Sequence, residues 1–132
     1  MARGSADFED LKRFAAKLEA IEKSAPDFTR AMAGELAARL LTLVRKRTPV
    51  DTGALRQGWK VSRVTYGAYT ATIRAYNDLE YALYVEAGHR TRDHESYVPG
   101  VHMLAISTAD LQMLAPKLIE ERVYTWLTEN LK

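Results

Sequence analysis

The chain is predicted to be α+β, with two N-terminal helices and a C-terminal helical segment packed on a small antiparallel β-sheet. Three observations predict it. Apolar residues recur at spacings of three and four from residue 8 to 44 and again from 103 to 131, the period of a helix with a buried stripe. Between these stretches, β-branched and aromatic residues flank Tyr66-Gly67-Ala68, the pattern of a hairpin with glycine in its loop. A length of 132 residues, 47% of them hydrophobic and 27% charged, suits one globular domain over residues 1–132.

The first helix is expected over residues 6–23. Phe8, Leu11, Phe14, Leu18 and Ile21 form its stripe, and Ser5 is a candidate N-cap. Ser24-Ala-Pro-Asp27 reads as a second start signal, with a capping serine, proline in the first turn and an acid after it. The second helix then carries Phe28, Met32, Leu36, Leu40 and Val44, and Ala33, Ala37 and Leu41 widen the stripe. Thr48-Pro49 ends it, because the residue before proline is pushed out of the helical region.

Residues 49–53 form a turn, with Asp51 or Thr52 capping a short helical piece over 54–57. The hairpin pairs 59–65 with 69–76. In its second strand Tyr69, Ala71, Ile73 and Ala75 face one way, and Thr70, Thr72, Arg74 and Tyr76 the other. One face is therefore expected under helices and the other partly wet. Asn77-Asp78 is a turn, and 79–87 is read as a short helix in preference to a strand. Residues 88–98 (GHRTRDHESYV) are polar and aperiodic, which predicts a loop or extended arm, closed by a turn at Val98-Pro99-Gly100. Helical spacing returns over 102–132, where Pro116 is expected to kink or split the helix.

Composition excludes several classes of function. There is no cysteine, so neither a disulfide framework nor a thiolate zinc site is possible, which suits a protein folded in a reducing cytosol. No apolar run approaches a membrane span, and no signal core follows Met1. The net charge is +2 and the two signs are interspersed, unlike a protein whose affinity comes from neutralising phosphates.

The remaining candidate chemistry is thin. His89, His94 and His102 lie close together with Asp93 and Glu95, but their intervals of five and eight match no usual ligand spacing. They are read as solvated side chains, with no metal, no cofactor and no catalytic residue assigned. No nucleophile elbow, paired-carboxylate motif or phosphate-cradling glycine loop is present, so a non-enzyme is expected. Arg45-Lys46-Arg47 suits a helix C-terminus. A minority reading joins it to Arg56, Lys60 and Arg63 as a DNA groove, with Tyr66, Tyr69 and Tyr76 for stacking.

Three stretches together carry a family resemblance. They are Thr48-Pro-Val-Asp-Thr-Gly-Ala-Leu-Arg56 followed by Gly58-Trp59, then Tyr81-Ala-Leu-Tyr-Val-Glu-Ala-Gly-His-Arg-Thr91, then Tyr97-Val-Pro-Gly100 before the long helical tail. In this order the chain, over about residues 10–132, resembles the tail-component (tail-completion, neck or head–tail joining) proteins of long-tailed bacteriophages and prophages. The resemblance implies a structural ring subunit between head connector and tail tube, made in the host cytoplasm and carried in the virion. It implies self-association, a hexamer being one candidate, with connector and tube or terminator proteins as partners. DNA would be only transiting cargo, and no membrane is involved. A tail-terminator protein is the near alternative, and a small DNA-binding module the alternative from another class.

The motif residues Thr48, Pro49, Asp51, Thr52, Gly53, Leu55 and Arg56 are expected to build the turn, with Arg56 pointing a charge from the helical turn that follows. Tyr84, Glu86, Gly88, His89, Arg90, Thr91, Arg92, Pro99 and Gly100 are the candidate assembly interface. Glu86 and Arg90 are expected to pair across the turn or between subunits, or to be an exposed pair of little worth. Ala87 is a departure from the aromatic or bulky apolar residue expected in many relatives.

Overall fold

The computed structural model describes residues 8–50, 53–67 and 70–132. The Ser5, Asp51 and Thr52 caps and the place of Tyr69 in its strand fall outside them. Among these residues α1 (Phe8–Arg47) is one continuous helix, not the two expected. At 40 residues it is a spine about 60 Å long. Pro26 lies inside it, where the missing N–H and the ring clash cost about 3 kcal/mol. Packing offsets that cost, because the C-terminal helix α4 (Met103–Asn130) runs antiparallel along the spine on both sides of the proline. The Trp126 ring stacks on Phe28 at 4.6 Å, and its indole N–H donates to Ser24 Oγ at 3.1 Å. A start signal that reads correctly in isolation is overridden by a partner distant in sequence. Pro116 likewise does not split α4.

After α1 come α2 (Ala54–Gln57), β1 (Trp59–Val61), β2 (Thr65–Tyr66), β3 (Ala71–Thr72) and β4 (Ala75–Asn77). β1 pairs with β4 and β2 with β3, all antiparallel, so the four segments are one hairpin, as expected, but interrupted. Lys60 faces Tyr76, whereas Thr65 faces Thr72, so residues 62–64 carry one more residue than the 73–74 stretch opposite. Ser62 accommodates this bulge. Its N–H donates to the Arg74 carbonyl at 2.8 Å, and its hydroxyl accepts from the Arg74 N–H at 2.9 Å, replacing a backbone acceptor in the ladder. The predicted alternation holds: Ala71, Ile73 and Ala75 line a groove with Leu36, Leu40 and Leu111, and Thr72, Arg74 and Tyr76 are exposed.

Asn77 makes the expected turn, its side-chain oxygen accepting from the Leu79 N–H at 3.1 Å. The expected short helix follows as α3 (Ala82–Ala87). The stretch read as a loop or arm is instead a second hairpin, β5 (Gly88–Arg90) with β6 (Tyr97–Pro99). Pro99 therefore belongs to a strand rather than to a turn. Periodicity gave no warning because the ribbon packs neither face into the core: His89, Arg90, Tyr97 and Val98 are all exposed. The core sits at the C-terminal end of the spine, where Val44, Leu55, Trp59, Ala82 and Met103 are buried together.

Candidate functional site

The first motif is a buried hydrogen-bonding node. Thr48 is fully buried, and its hydroxyl donates to the Val44 carbonyl at 2.6 Å while accepting the Trp59 indole N–H at 2.8 Å. One hydroxyl thus satisfies an orphan carbonyl at the helix end and the one polar atom of a buried indole. Arg56 carries its charge from the helical turn after Gly53. Its guanidinium folds back to the Thr48 carbonyl at 3.2 Å, a position where cations favour a helix C-terminus. Gly53 takes φ +84°, as the turn reading requires, and its carbonyl accepts from the Gln57 N–H at 3.0 Å. Leu55 is buried in the core, and Pro49 follows the last turn of α1.

Both arginines of the basic run have partners within the chain. Arg45 donates to the Trp59 carbonyl at 2.9 Å, and Arg47 pairs with Asp110 at 2.5 Å. Tyr66, considered for base stacking, lies under the Arg30 guanidinium at 4.5 Å. Arg45, Arg47 and Arg56 thus each have a partner within the chain.

The second and third motifs meet at the start of α4. The Glu86 carboxylate accepts the Leu104 N–H at 2.7 Å and the Ala105 N–H at 3.0 Å. It therefore caps a helix from 18 residues away, at the end where the dipole favours an anion. Within the chain the Glu86 carboxylate is thus bound to α4 rather than across the turn to Arg90. The carboxylate's partners are backbone groups that only the fold brings near. The residue in the N-cap position, His102, has φ +53° and no side-chain cap bond. The Val85 and Glu86 carbonyls accept the Val101 and His102 N–H groups at 2.7 and 3.0 Å, stitching α3 to the same helix start.

Two glycines permit this junction. A Cβ on Gly100 would lie 2.6 Å from the Ala87 carbonyl carbon and 2.7 Å from the Gly88 nitrogen. A Cβ on Gly88, at φ +88°, would meet the Val98 carbonyl at 2.6 Å. The Tyr97 hydroxyl donates to the Ala87 carbonyl at 2.7 Å. The turn is tight despite the small side chain at Ala87.

From this base the β5–β6 ribbon projects. Its tip is held by Thr91 and Asp93: the Thr91 N–H donates to the Ser96 carbonyl at 2.8 Å, and the Asp93 carboxylate accepts from the Glu95 N–H at 3.0 Å. The Thr91 hydroxyl beside Asp93, aided by that N–H, holds its carboxyl below the usual carboxylate range. Arg90, Arg92 and Tyr84 are exposed along the ribbon and its root, with Tyr84 edge-on to His89 at 5.9 Å. The three histidines sit on different features: β5, the ribbon tip and the start of α4. Among the described residues no His, Asp and Glu side chains gather into a group able to hold a metal, and no helix is long and apolar enough to cross a membrane.

A family model described as "Bacteriophage HK97-gp10, putative tail-component" matches residues 12–88. That span is more than half of the chain and contains the Thr48–Trp59 node and α3. The chain belongs to the HK97 gp10-like family. Membership makes it a phage tail component and so a virion protein. No curated protein and no solved structure matches it.

Sequence reasoning missed Trp59 as a hydrogen-bond donor to Thr48, and Glu86 as a cap. For the first there was a signal, since a buried indole N–H needs an acceptor and Thr48 lies 11 residues before Trp59. For the second there was none.

Proposed function

We propose that this tail component is a non-enzymatic ring subunit of the head–tail junction, seated between the head connector and the tail tube. The observation that carries the reading is the uncovered ribbon. Two-stranded hairpins are at best marginally stable alone, and their free edges invite pairing. Here one is braced at its root by Gly88, Gly100 and the Tyr97 hydroxyl, yet Arg90, Tyr97 and Val98 are exposed among the described residues. A ribbon of this kind suits an adjoining subunit or ring, and its strand edge offers backbone groups for sheet extension.

Self-association into a closed ring, a hexamer being one closure, follows this reading, with the connector above and the tube or terminator proteins below. DNA then passes through without being bound by sequence. Replacing residues 90–96 with a short Gly-Ser linker tests it. The circular dichroism and melting of the isolated subunit should stay nearly unchanged, while heads fail to join tails in a complementation assay. Normal particles from the shortened chain would refute the role of the ribbon.

A further inference from the structure

The two long edges of the β5–β6 ribbon are not equivalent. At its tip the Thr91 N–H donates to the Ser96 carbonyl at 2.8 Å, and the register continues with Arg90 facing Tyr97, His89 facing Val98 and Gly88 facing Pro99. Bonded and non-bonded pairs alternate along an antiparallel ladder. Because Thr91 and Ser96 are bonded, the backbone groups of Arg90 and Tyr97 point away from each other, out to the two free edges. On the β6 edge the next outward residue is Pro99, which has no N–H to give. A proline there closes that edge to a further strand. On the β5 edge Arg90 presents both its N–H and its carbonyl.

The open edge is also the basic one. β5 and its continuation carry His89, Arg90 and Arg92 and no acid. Among the described residues neither arginine is paired with a carboxylate, whereas Arg39, Arg47 and Arg122 each are. The nearest acids in sequence are engaged elsewhere, Glu86 by α4 and Asp93 by the tip. The tip bonds also hold the ribbon in shape before any partner arrives, which lowers the ordering cost of binding.

We infer that the β5 edge takes an extended, acidic segment of a different virion protein as a third strand, with carboxylates beside Arg90 and Arg92. This rests on the head–tail junction reading above and assigns the ribbon to the joint with the next component rather than to the contact between copies. Second copies of this chain are poor occupants. Pairing β5 with another β5 brings two sets of Arg90 and Arg92 together, and like charges across a strand pair destabilise it. The first hairpin, residues 59–77, carries Lys60, Arg63 and Arg74 and no acid, so its strands meet β5 with the same sign. Asp78, just beyond it, is held by Lys60 at 3.8 Å. Residues 1–7 set Arg3 against Asp7 and are not acidic. The acids of α1 and α4 lie on helices, whose backbone groups are already bonded and cannot extend a sheet.

Two variants and one probe test this. Arg90→Pro removes the outward N–H and the guanidinium together, and that N–H takes no part in the β5–β6 ladder. Arg90→Glu with Arg92→Glu reverses the charge and leaves the backbone alone, which covers the case of a proline that disturbs the strand. Both should keep the circular dichroism of the parent and its self-assembly in native mass spectrometry, and both should fail to join heads to tails in complementation. The probe is a short capped peptide of alternating valine and glutamate. It should shift the Arg90 amide signal and leave that of Tyr97 in place. The same peptide with lysine for glutamate should bind the parent at least about tenfold more weakly, and the preference should reverse on the charge-reversed chain. Equal affinity for the two peptides, a shift at Tyr97 instead of Arg90, no shift with either peptide, or normal joining by both variants would overturn the inference. Loss of self-assembly in the charge-reversed chain would place the ribbon between copies, overturning the inference and leaving the ring reading standing. A parent chain that stays monomeric at every concentration, yet binds the glutamate peptide along β5, would refute the ring and uphold the acidic strand.

Discussion

Removing the Glu86 carboxylate should loosen the start of α4 without touching the core. Its two oxygens accept N–H groups at 2.7 and 3.0 Å from the first turn of a helix, where no side chain of its own offers a cap. Loss of a capping side chain costs typically about 1 kcal/mol and at most about 2. The charge adds roughly 0.3–1 kcal/mol through the helix dipole. Two bonds from one half-buried carboxylate put Glu86→Ala near the upper end, about 2 kcal/mol. Glu86→Gln, which keeps one acceptor oxygen and loses the charge, should cost about half of that. In urea this is a fall in midpoint of roughly 1 M at an unchanged slope, read at fixed protein concentration because assembly also stabilises the fold. Glu86→Ala within about 0.5 kcal/mol of the parent would show that water replaces the carboxylate at no cost. The contact between the second motif and α4 would then be ornamental.

Thr48→Val removes the acceptor of a buried indole N–H and should cost about 1–3 kcal/mol, whereas Thr48→Ser retains the hydroxyl and most of the stability; equal losses for both in thermal unfolding would refute the node. Gly100→Ala forces a Cβ into the backbone at Ala87 and Gly88 and should cost at least about 1–3 kcal/mol. Gly53→Ala has open space around its Cβ and should cost about 1–2 kcal/mol through its positive φ alone. The bidentate Arg122 fork on Glu35, with bonds at 2.6 and 2.9 Å, holds that carboxyl below its usual range. A lowered folded-state value means stability present above the unfolded carboxylate range and lost as pH falls through the folded value. The melting-temperature gap between the parent and Glu35→Gln should therefore close on acidification, and a gap that widens towards acid would contradict the assignment. Replacing His89, His94 and His102 together with alanine should leave stability within about 1 kcal/mol, and a larger loss on melting would reveal a structural role.

The periodic apolar stripes, the hairpin around Gly67, the short helix before Gly88 and the positive-φ turn at Gly53 were all legible in the sequence. Each is governed by residues within one or two turns of chain, where spacing and backbone sterics act directly. The motifs that identify the family were legible for the same reason, as short runs of fixed order. Tertiary structure alone decided the rest. Ser24-Ala-Pro-Asp27 starts a helix when read locally, but Trp126 and Phe28 hold the spine continuous across it. Residues 88–98 show no period because neither face of their ribbon enters the core, and backbone pairing leaves no mark on side-chain pattern. Glu86 is an ordinary exposed acid by spacing and becomes a cap only when α3 meets α4. Local sequence selects backbone conformation, whereas burial and the satisfaction of polar groups depend on partners the chain brings together only by folding.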